Sequence, residues 1–206
     1  MSSRRRFLLS TSGFVIAGFG CGDEDGSSGG PAPVTQQTFV GDVPGTEMRV
    51  AVVRDGDDVA LFFCGGATTF ATATKWIRST AAGTAFDLVA DSWKATVSIQ
   101  GGLVTGTVDI GDGAALAWQG ARVDEAGVAG LYEAAQSDGN VGVIVALDEA
   151  GAAFAQGALV TPTIAAQVVP IAPVERVSDR LRVSVLFADG PKNITVRRAG
   201  AREAGQ

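Results

Sequence analysis

The sequence predicts an all-β, antiparallel fold, and three observations support that prediction. Over residues 92–118, apolar side chains alternate with polar ones, as on strands that have one buried and one wet face. Tight-turn pairs such as Asp55-Gly56 and Gly101-Gly102 separate the alternating runs, as in β-hairpins. No stretch beyond the leader repeats its apolar residues at the period of a helix. We therefore predict a single, mostly up-and-down β-barrel of about 8–12 short strands, with a β-sandwich as the alternative.

Composition and patterning divide the chain into four segments. We interpret residues 1–20 as a signal peptide, 21–36 as a Gly/Ser/acidic tether, 37–198 as the all-β domain and 199–206 as a frayed tail. The 28 glycines among 206 residues suit many short strands joined by tight turns.

Alternation and turn residues also place the individual strands. In the first half of the domain we predict strands at 38–43, 49–54, 59–64, 75–77 and 85–90, and then the three-stranded meander at 92–118. In the second half we predict strands at 128–134, 141–147, 152–159, 181–187 and 193–197. The run at 141–147 is nearly all apolar, which indicates a strand buried on both faces or a barrel stave. Prolines at 162, 170 and 173 predict that residues 161–178 are an extended crossing segment and not a central strand.

The leader carries an arginine-rich export signal. Residues 3–8 read S-R-R-R-F-L and resemble the twin-arginine export motif, with Arg4 and Arg5 as its signal residues. The apolar segment at 7–20 is shorter than the roughly 20 residues that a membrane-spanning helix needs, so it is typical of a signal peptide. The alternative is a general secretory signal that contains three arginines. Both interpretations predict an extracytoplasmic protein.

Cys21 stands at the end of the signal segment and is the predicted lipid anchor. It follows A-G-F-G at 17–20, which resembles a bacterial lipoprotein cleavage box, and it precedes the tether. Acylation of this cysteine holds a domain at a membrane, so the predicted location is the cell envelope and the predicted first partner is a membrane. The alternative is a secreted protein in which Cys21 is not lipidated.

Composition and motif content argue against several classes of function. The chain contains no histidine, which is the commonest general base and the commonest metal ligand. Its net charge of −6 repels phosphate backbones, so no nucleic-acid partner is expected. The sequence contains no recognisable nucleophile-elbow, P-loop, zinc or dinucleotide motif. We therefore expect no catalysis, no cofactor and no metal. A hydrolase that uses paired carboxylates, such as Asp87 with Asp109, is the less favoured alternative.

Large aromatic residues are the candidate ligand-lining side chains of the predicted barrel. A small barrel can hold one ligand inside, although its interior is more often filled by side chains. Both interpretations apply to four residues: Trp76, Trp93, Trp118 and Tyr132.

Two other sets of residues have structural interpretations. Cys64 ends an apolar strand and is interpreted as a buried small hydrophobe, with a disulfide to Cys21 as the alternative. Turn chemistry accounts for the clustered aspartates without a calcium ion. These aspartates are Asp55, Asp57, Asp58 and Asp112.

A set of short motifs resembles an uncharacterised family of exported bacterial β-domains. The motifs are F-x-G-x-V-x-G-T at 39–46, V-A-V-V at 50–53, Asp55-Gly56, and G-L-Y at 130–132. The resemblance spans about residues 39–159 and implies no particular activity or site residue. The favoured function is a non-catalytic, lipid-tethered domain of the cell envelope that binds a small ligand or a protein partner. A structural or assembly module of the envelope is the alternative.

Overall fold

The computed structural model of the chain describes residues 36–137, 139–162, 165–170, 174, 176–187 and 190–202. All of them belong to one compact unit. They form fifteen strands and no helix, and every strand pairing is antiparallel, which confirms the predicted fold class. The described part of the chain contains no helix long and apolar enough to span a membrane. The predicted signal residues Arg4 and Arg5, the anchor Cys21 and the tether lie outside the described residues.

The strands form two sheets, which follow one another along the chain. The N-terminal sheet has the strand order β4-β3-β2-β1-β8-β7-β6-β5. Its strands are β1 Gln37–Asp42, β2 Arg49–Asp55, β3 Asp58–Cys64, β4 Lys75–Thr80, β5 Ala85–Ala90, β6 Trp93–Gln100, β7 Leu103–Asp109 and β8 Ala115–Arg122. The C-terminal sheet has the order β12-β11-β10-β9-β15-β14-β13. Its strands are β9 Gly130–Gln136, β10 Gly139–Leu147, β11 Ala153–Val160, β12 Ala165–Pro170, β13 Arg176–Val177, β14 Arg180–Phe187 and β15 Gly190–Arg198.

The N-terminal sheet curls around its own apolar core. Phe63 of β3 packs against Trp93 of β6 and Trp118 of β8, with ring centroids 5.8 Å and 6.0 Å apart. These strands are not neighbours in the sheet, so the contacts require strong curvature. The described ladders do not pair the edge strands β4 and β5 with each other. An exposed ion pair between Lys75 and Asp91 connects the strands near the open edge.

The C-terminal sheet closes on itself, because β12 pairs with β14 as well as with β11. Six strands form the ring: β9, β10, β11, β12, β14 and β15. Inward side chains such as Val143, Val183 and Val196 fill its core. The shortest ladder of this ring joins β9 to β15 and contains two residue pairs, Tyr132 opposite Arg198 and Glu133 opposite Arg197. We call this junction the β9–β15 seam.

The two sheets share a buried wall. Phe62 of β3 faces Leu131 of β9 and Ile144 of β10, and all three side chains are buried. The opposite faces of these strands fill the separate cores of their own sheets. Residues 141–145 of β10 are buried at every position, and all but Gly142 carry apolar side chains. The prediction that this run is a strand buried on both faces is confirmed.

Three details differ from the sequence prediction. The structure has fifteen strands, more than the predicted 8–12. They form two sheets and not one barrel, and β2, β3, β9 and β10 are buried on both faces where the sheets meet. The segment 161–178, predicted to cross without pairing centrally, contains β12, which completes the ring. Pro162 precedes that strand and Pro170 is its last residue, so both prolines lie at positions that a strand tolerates.

A frayed tail was predicted for 199–206, but Ala199 and Ala201 are buried against the shared wall. Residues 203–206 lie outside the described part.

Candidate functional site

Two of the four predicted ligand-lining aromatics lie together in the N-terminal core. Trp93 is 6% exposed and Trp118 is 2% exposed, and both pack against Phe63. Trp118 also lies over Gly106, where an added Cβ would come within 2.6 Å of the indole ring. These contacts show the two indoles filling the core.

Trp76 lies apart from them, on the shared wall between the sheets. Its ring packs on Phe62 with centroids 4.5 Å apart, and the guanidinium of Arg78 lies 4.4 Å from its centroid. An indole held between a phenyl ring and a guanidinium gains dispersion and cation–π attraction. Trp76 also packs against the buried cluster that the two sheets share, so it contributes to their docking.

Tyr132 lies inside the ring of the C-terminal sheet. Its hydroxyl donates to the carbonyl of Val128 at 2.7 Å, and the guanidinium of Arg198 lies 5.2 Å from the ring centroid. Burial raises the pKa of Tyr132, and the positive charge of Arg198 opposes that rise. The structure thus places the four aromatics in three separate clusters, and a ligand-lining role for them stays a prediction.

Cys64 is fully buried at the shared wall, in the position expected of a small hydrophobe. Burial raises the pKa of its thiol to about 12, so the thiol is neutral at physiological pH. The side-chain amide of Gln156 on β11 donates to the carbonyl of Cys64 at 2.6 Å and to that of Gly65 at 2.9 Å. The alternative disulfide partner, Cys21, lies outside the described residues.

The acidic residues singled out in the sequence make turn and ion-pair contacts. Asp109 accepts backbone N–H groups of Gly111 and Gly113 at 2.8 Å and 3.1 Å, which lowers the pKa of its carboxyl. Asp112 accepts the N–H of Ala114 in the same turn at 3.0 Å. Asp58 binds Arg202 at 2.6 Å, and Asp57 lies 4.0 Å from Arg54. Within the described residues, no group of three or more His, Cys, Asp or Glu side chains is arranged to hold a metal ion.

The outer surface carries several depressions. One, of about 580 Å³, crosses β5, β6 and β7 and is lined mainly by small and hydroxyl side chains such as Thr96 and Thr107, with one carboxylate, Asp87. Another, of about 370 Å³, lies at the β9–β15 seam, where the two strands separate beyond their two-residue ladder. We call this second depression the arginine groove. It is lined by residues 133–135 of β9, 195–197 of β15 and Arg180 of β14.

Strand register places like charges side by side in the arginine groove. Arg180 of β14 is directly opposite Arg197 of β15, and Arg182 is directly opposite Thr195. Residues that face each other in an antiparallel pair point to the same side of the sheet, with Cβ atoms about 5 Å apart. Three exposed arginines and one hydroxyl therefore form a compact block on the outer face.

The described residues supply little countercharge to this block of arginines. Arg180 lies 3.8 Å from Asp179, a contact between two exposed side chains. Glu133, the acid nearest Arg197 in register, is 2% exposed and already binds both Arg78 and the N–H of Gly200. Among the described residues, Arg182 and Arg197 have no ion-pair partner.

The sequence contained part of the signal for this groove. Arg180 and Arg182 alternate with Leu181 and Val183, which predicts that both arginines face outward. Placing Arg197 beside Arg180 requires the exact register of β14 with β15, which alternation alone does not determine.

Comparisons with protein-family models, with curated proteins and with solved structures return no match to this chain.

Proposed function

We propose that this chain is an exported, lipid-tethered β-domain of the cell envelope, which performs no catalysis and binds an envelope ligand through the arginine groove. The observation that carries the proposal is the pairing of Arg180 with Arg197 in a surface depression where the described residues supply little countercharge. Like charges directly opposite each other destabilise a sheet, so a bound anion relieves a repulsion that the free protein contains.

The packing of the two sheets supports binding at the surface. Aromatic and aliphatic side chains occupy the core of the N-terminal sheet, and valines with Tyr132 occupy the ring of the C-terminal sheet. A ligand of appreciable size therefore meets this protein from outside. The arginine groove is concave and carries a net positive charge, two properties that suit a site for a polar, anionic ligand.

Export and tethering rest on the leader. The twin-arginine resemblance at Arg4 and Arg5, the cleavage-box resemblance at Cys21 and the tether at 21–36 together favour a folded domain held at a membrane. The membrane is then one partner, and the groove ligand is the second.

Intact mass of the mature protein, isolated from its membrane fraction, tests the tethered location. We expect Cys21 as the first residue, with a mass increase equal to its acyl chains. The variant Cys21→Ser is expected to lose both the added mass and the membrane association. An unmodified N-terminus on a soluble secreted product contradicts the tether.

A substrate panel tests the absence of catalysis. The purified protein is incubated with ester, glycoside and peptide substrates, and we expect no turnover above that of a buffer blank. The variant Asp87→Ala is the control for a carboxylate-dependent hydrolase. Turnover that this variant abolishes contradicts the proposal and favours the hydrolase.

An assembly module of the envelope is the second candidate function. The described ladders leave the outer edges of β4 and β5 without strand partners, and an open edge accepts a strand from another chain. Val89 of β5 is 67% exposed at this edge. If assembly is the function, Val89→Lys blocks association in sedimentation experiments without changing the unfolding free energy. A protein that sediments as a monomer at every concentration and crosslinks to no envelope protein rules this candidate out.

A further inference from the structure

We infer that the arginine groove binds a dianionic phosphate monoester, held between Arg180 and Arg197. The inference rests on the proposed function, because it names the ligand class of the same site. Three features carry it: the register of the two arginines, the small amount of countercharge that the described residues place around them, and the concave surface that they line.

The geometry suits a tetrahedral oxyanion. A guanidinium presents its N–H donors in a planar fork that binds two oxygens of a phosphate at once. Arg180 and Arg197 approach the groove from neighbouring strands, so each fork can take a different pair of oxygens. The hydroxyl of Thr195, which lines the same groove, supplies a further donor.

The charge favours a dianion over a monoanion. The block contains Arg180, Arg182 and Arg197, and within the described part of the chain the exposed carboxylate paired with it belongs to Asp179. A single carboxylate ligand leaves part of this positive charge uncompensated, whereas a phosphate monoester carries a charge of about −1.5 to −2 at neutral pH. We therefore expect phosphate to bind more tightly than a carboxylate of similar size.

The site is local and does not conflict with the acidity of the chain. The net charge of −6 repels long phosphate backbones, which contact a wide surface. A single phosphate group contacts the arginine block alone, and charges beyond about 10 Å are screened at moderate salt. The small volume of the groove, about 370 Å³, also fits one phosphate-bearing group better than a polymer.

Calorimetric titration of the full chain, carrying Cys21→Ser so that no acyl chain is added, tests the inference. The probes are inorganic phosphate, phenyl phosphate and benzoate, with benzoate as the carboxylate control. We expect phenyl phosphate to bind at least 10-fold more tightly than benzoate, with affinity that falls as salt rises. Equal affinity for the two aromatic anions overturns the choice of phosphate.

A matched pair of double variants locates the site. Arg180→Gln with Arg197→Gln removes the facing charges, and we expect a loss of at least 10-fold in affinity for phenyl phosphate. Lys94→Gln with Arg122→Gln removes the same charge from exposed positions on the N-terminal sheet, and we expect a change of less than 2-fold. Equal losses in both variants show a nonspecific charge effect and overturn the inference.

Folding of the groove variant has its own control. Removing the facing arginines also removes their repulsion, so without ligand the variant is expected to unfold at a temperature equal to or above that of the parent. Added phenyl phosphate is expected to raise the unfolding temperature of the parent and not of the variant. A parent whose unfolding temperature does not respond to phosphate contradicts the inference.

Vesicles distinguish the source of the phosphate group. Cosedimentation is measured with zwitterionic phospholipid vesicles, with and without an added lipid that bears a phosphate monoester. Arginine-dependent binding only to the vesicles with the added lipid supports a headgroup, and binding of phenyl phosphate in solution supports a soluble ligand. Failure of both arms overturns the phosphate inference. It leaves the tether intact if the mature protein still carries acylated Cys21, so the two proposals fail separately.

Discussion

Arg78 of β4 and Glu133 of β9 form an ion pair that joins the two sheets across their shared wall. The carboxylate of Glu133 is 2% exposed and also accepts the N–H of Gly200 at 3.2 Å. Arg78 donates to the carbonyl of Gly200 at 3.0 Å. Both sheets and the C-terminal segment at 199–202 therefore meet at one pair of charges.

Removing one partner of this ion pair is expected to destabilise the fold strongly. Glu133→Ala leaves the guanidinium of Arg78 largely buried without its countercharge, which costs about 3–5 kcal/mol. Urea unfolding monitored by tryptophan fluorescence measures the change. The double variant Arg78→Met with Glu133→Leu is expected to recover most of the loss, because it leaves no unpaired charge. A double variant as unstable as the single one contradicts this account.

Gly142 of β10 is required by the close packing of the two sheets. A Cβ at this position would lie 2.5 Å from Cζ of Phe62, a buried ring that packs on Trp76. Gly142→Ala is therefore expected to lower the unfolding free energy by about 1–3 kcal/mol through overpacking. Gly102→Ala is the matched control, since no atom lies within 4 Å of its added Cβ. Equal stability of the two variants, measured by chemical unfolding, contradicts the proposed contact.

The buried thiol of Cys64 makes stability depend on alkaline pH. Burial raises its pKa from 9.0 to about 12, so above pH 9.0 the unfolded chain ionises this thiol while the folded chain keeps it protonated. The unfolded state then binds fewer protons, and stability falls as pH rises from 9.0 towards 12. The measurement compares the slope of unfolding free energy against pH in the parent and in Cys64→Ala. The variant is expected to have the shallower slope, and identical slopes contradict the assignment.

The turn between β7 and β8 is stabilised by an ionised aspartate. The N–H groups of Gly111 and Gly113 lower the pKa of Asp109, so its stabilising effect is present above 3.8 and is lost as pH falls through the lowered value. Asp109→Ala is expected to lower the unfolding temperature at neutral pH, and the difference from the parent is expected to shrink in acid. Asp87→Ala, at an exposed position on β5, is the control. A difference that stays constant with pH contradicts the role of the carboxylate.

Much of the fold is encoded locally and was therefore predictable. In β6, Trp93, Ala95, Val97 and Ile99 are buried and alternate with more exposed residues, as the pattern predicts. The predicted turn at Asp55-Gly56 lies one residue further on: Gly56-Asp57 connects β2 to β3, and Gly56 supplies the positive φ that this tight turn requires. Strand existence and turn positions depend on neighbouring residues, which a sequence displays directly.

The division into two sheets was harder to predict. Val50 and Val52 face the N-terminal core, while Ala51 and Val53 face the shared wall. The sequence of β2 is therefore apolar at consecutive positions, and this pattern does not show which face belongs to which core. Which core each face belongs to depends on pairing between distant residues. The closing strand β12 was missed because proline is unfavourable inside a strand, whereas Pro170 stands at its end.

The candidate site was only partly predictable for a similar reason. Aromatic side chains draw attention as ligand contacts, but Trp93 and Trp118 are buried and pack against Phe63. The arginine groove depends on one cross-strand register, Arg180 with Arg197, and on a seam where β9 leaves β15. Both are properties of assembled strands.

The shared wall also determines when the molecule can finish folding during synthesis. A nascent chain that ends near residue 123 already contains the whole N-terminal sheet, but the outward face of Phe62 still lacks Leu131 and Ile144. Ala199 and Ala201, which complete the same cluster, are synthesised after the strands of both sheets. The shared wall therefore cannot pack completely until the chain has been synthesised through residue 201, so the N-terminal sheet must wait with part of its apolar surface uncovered.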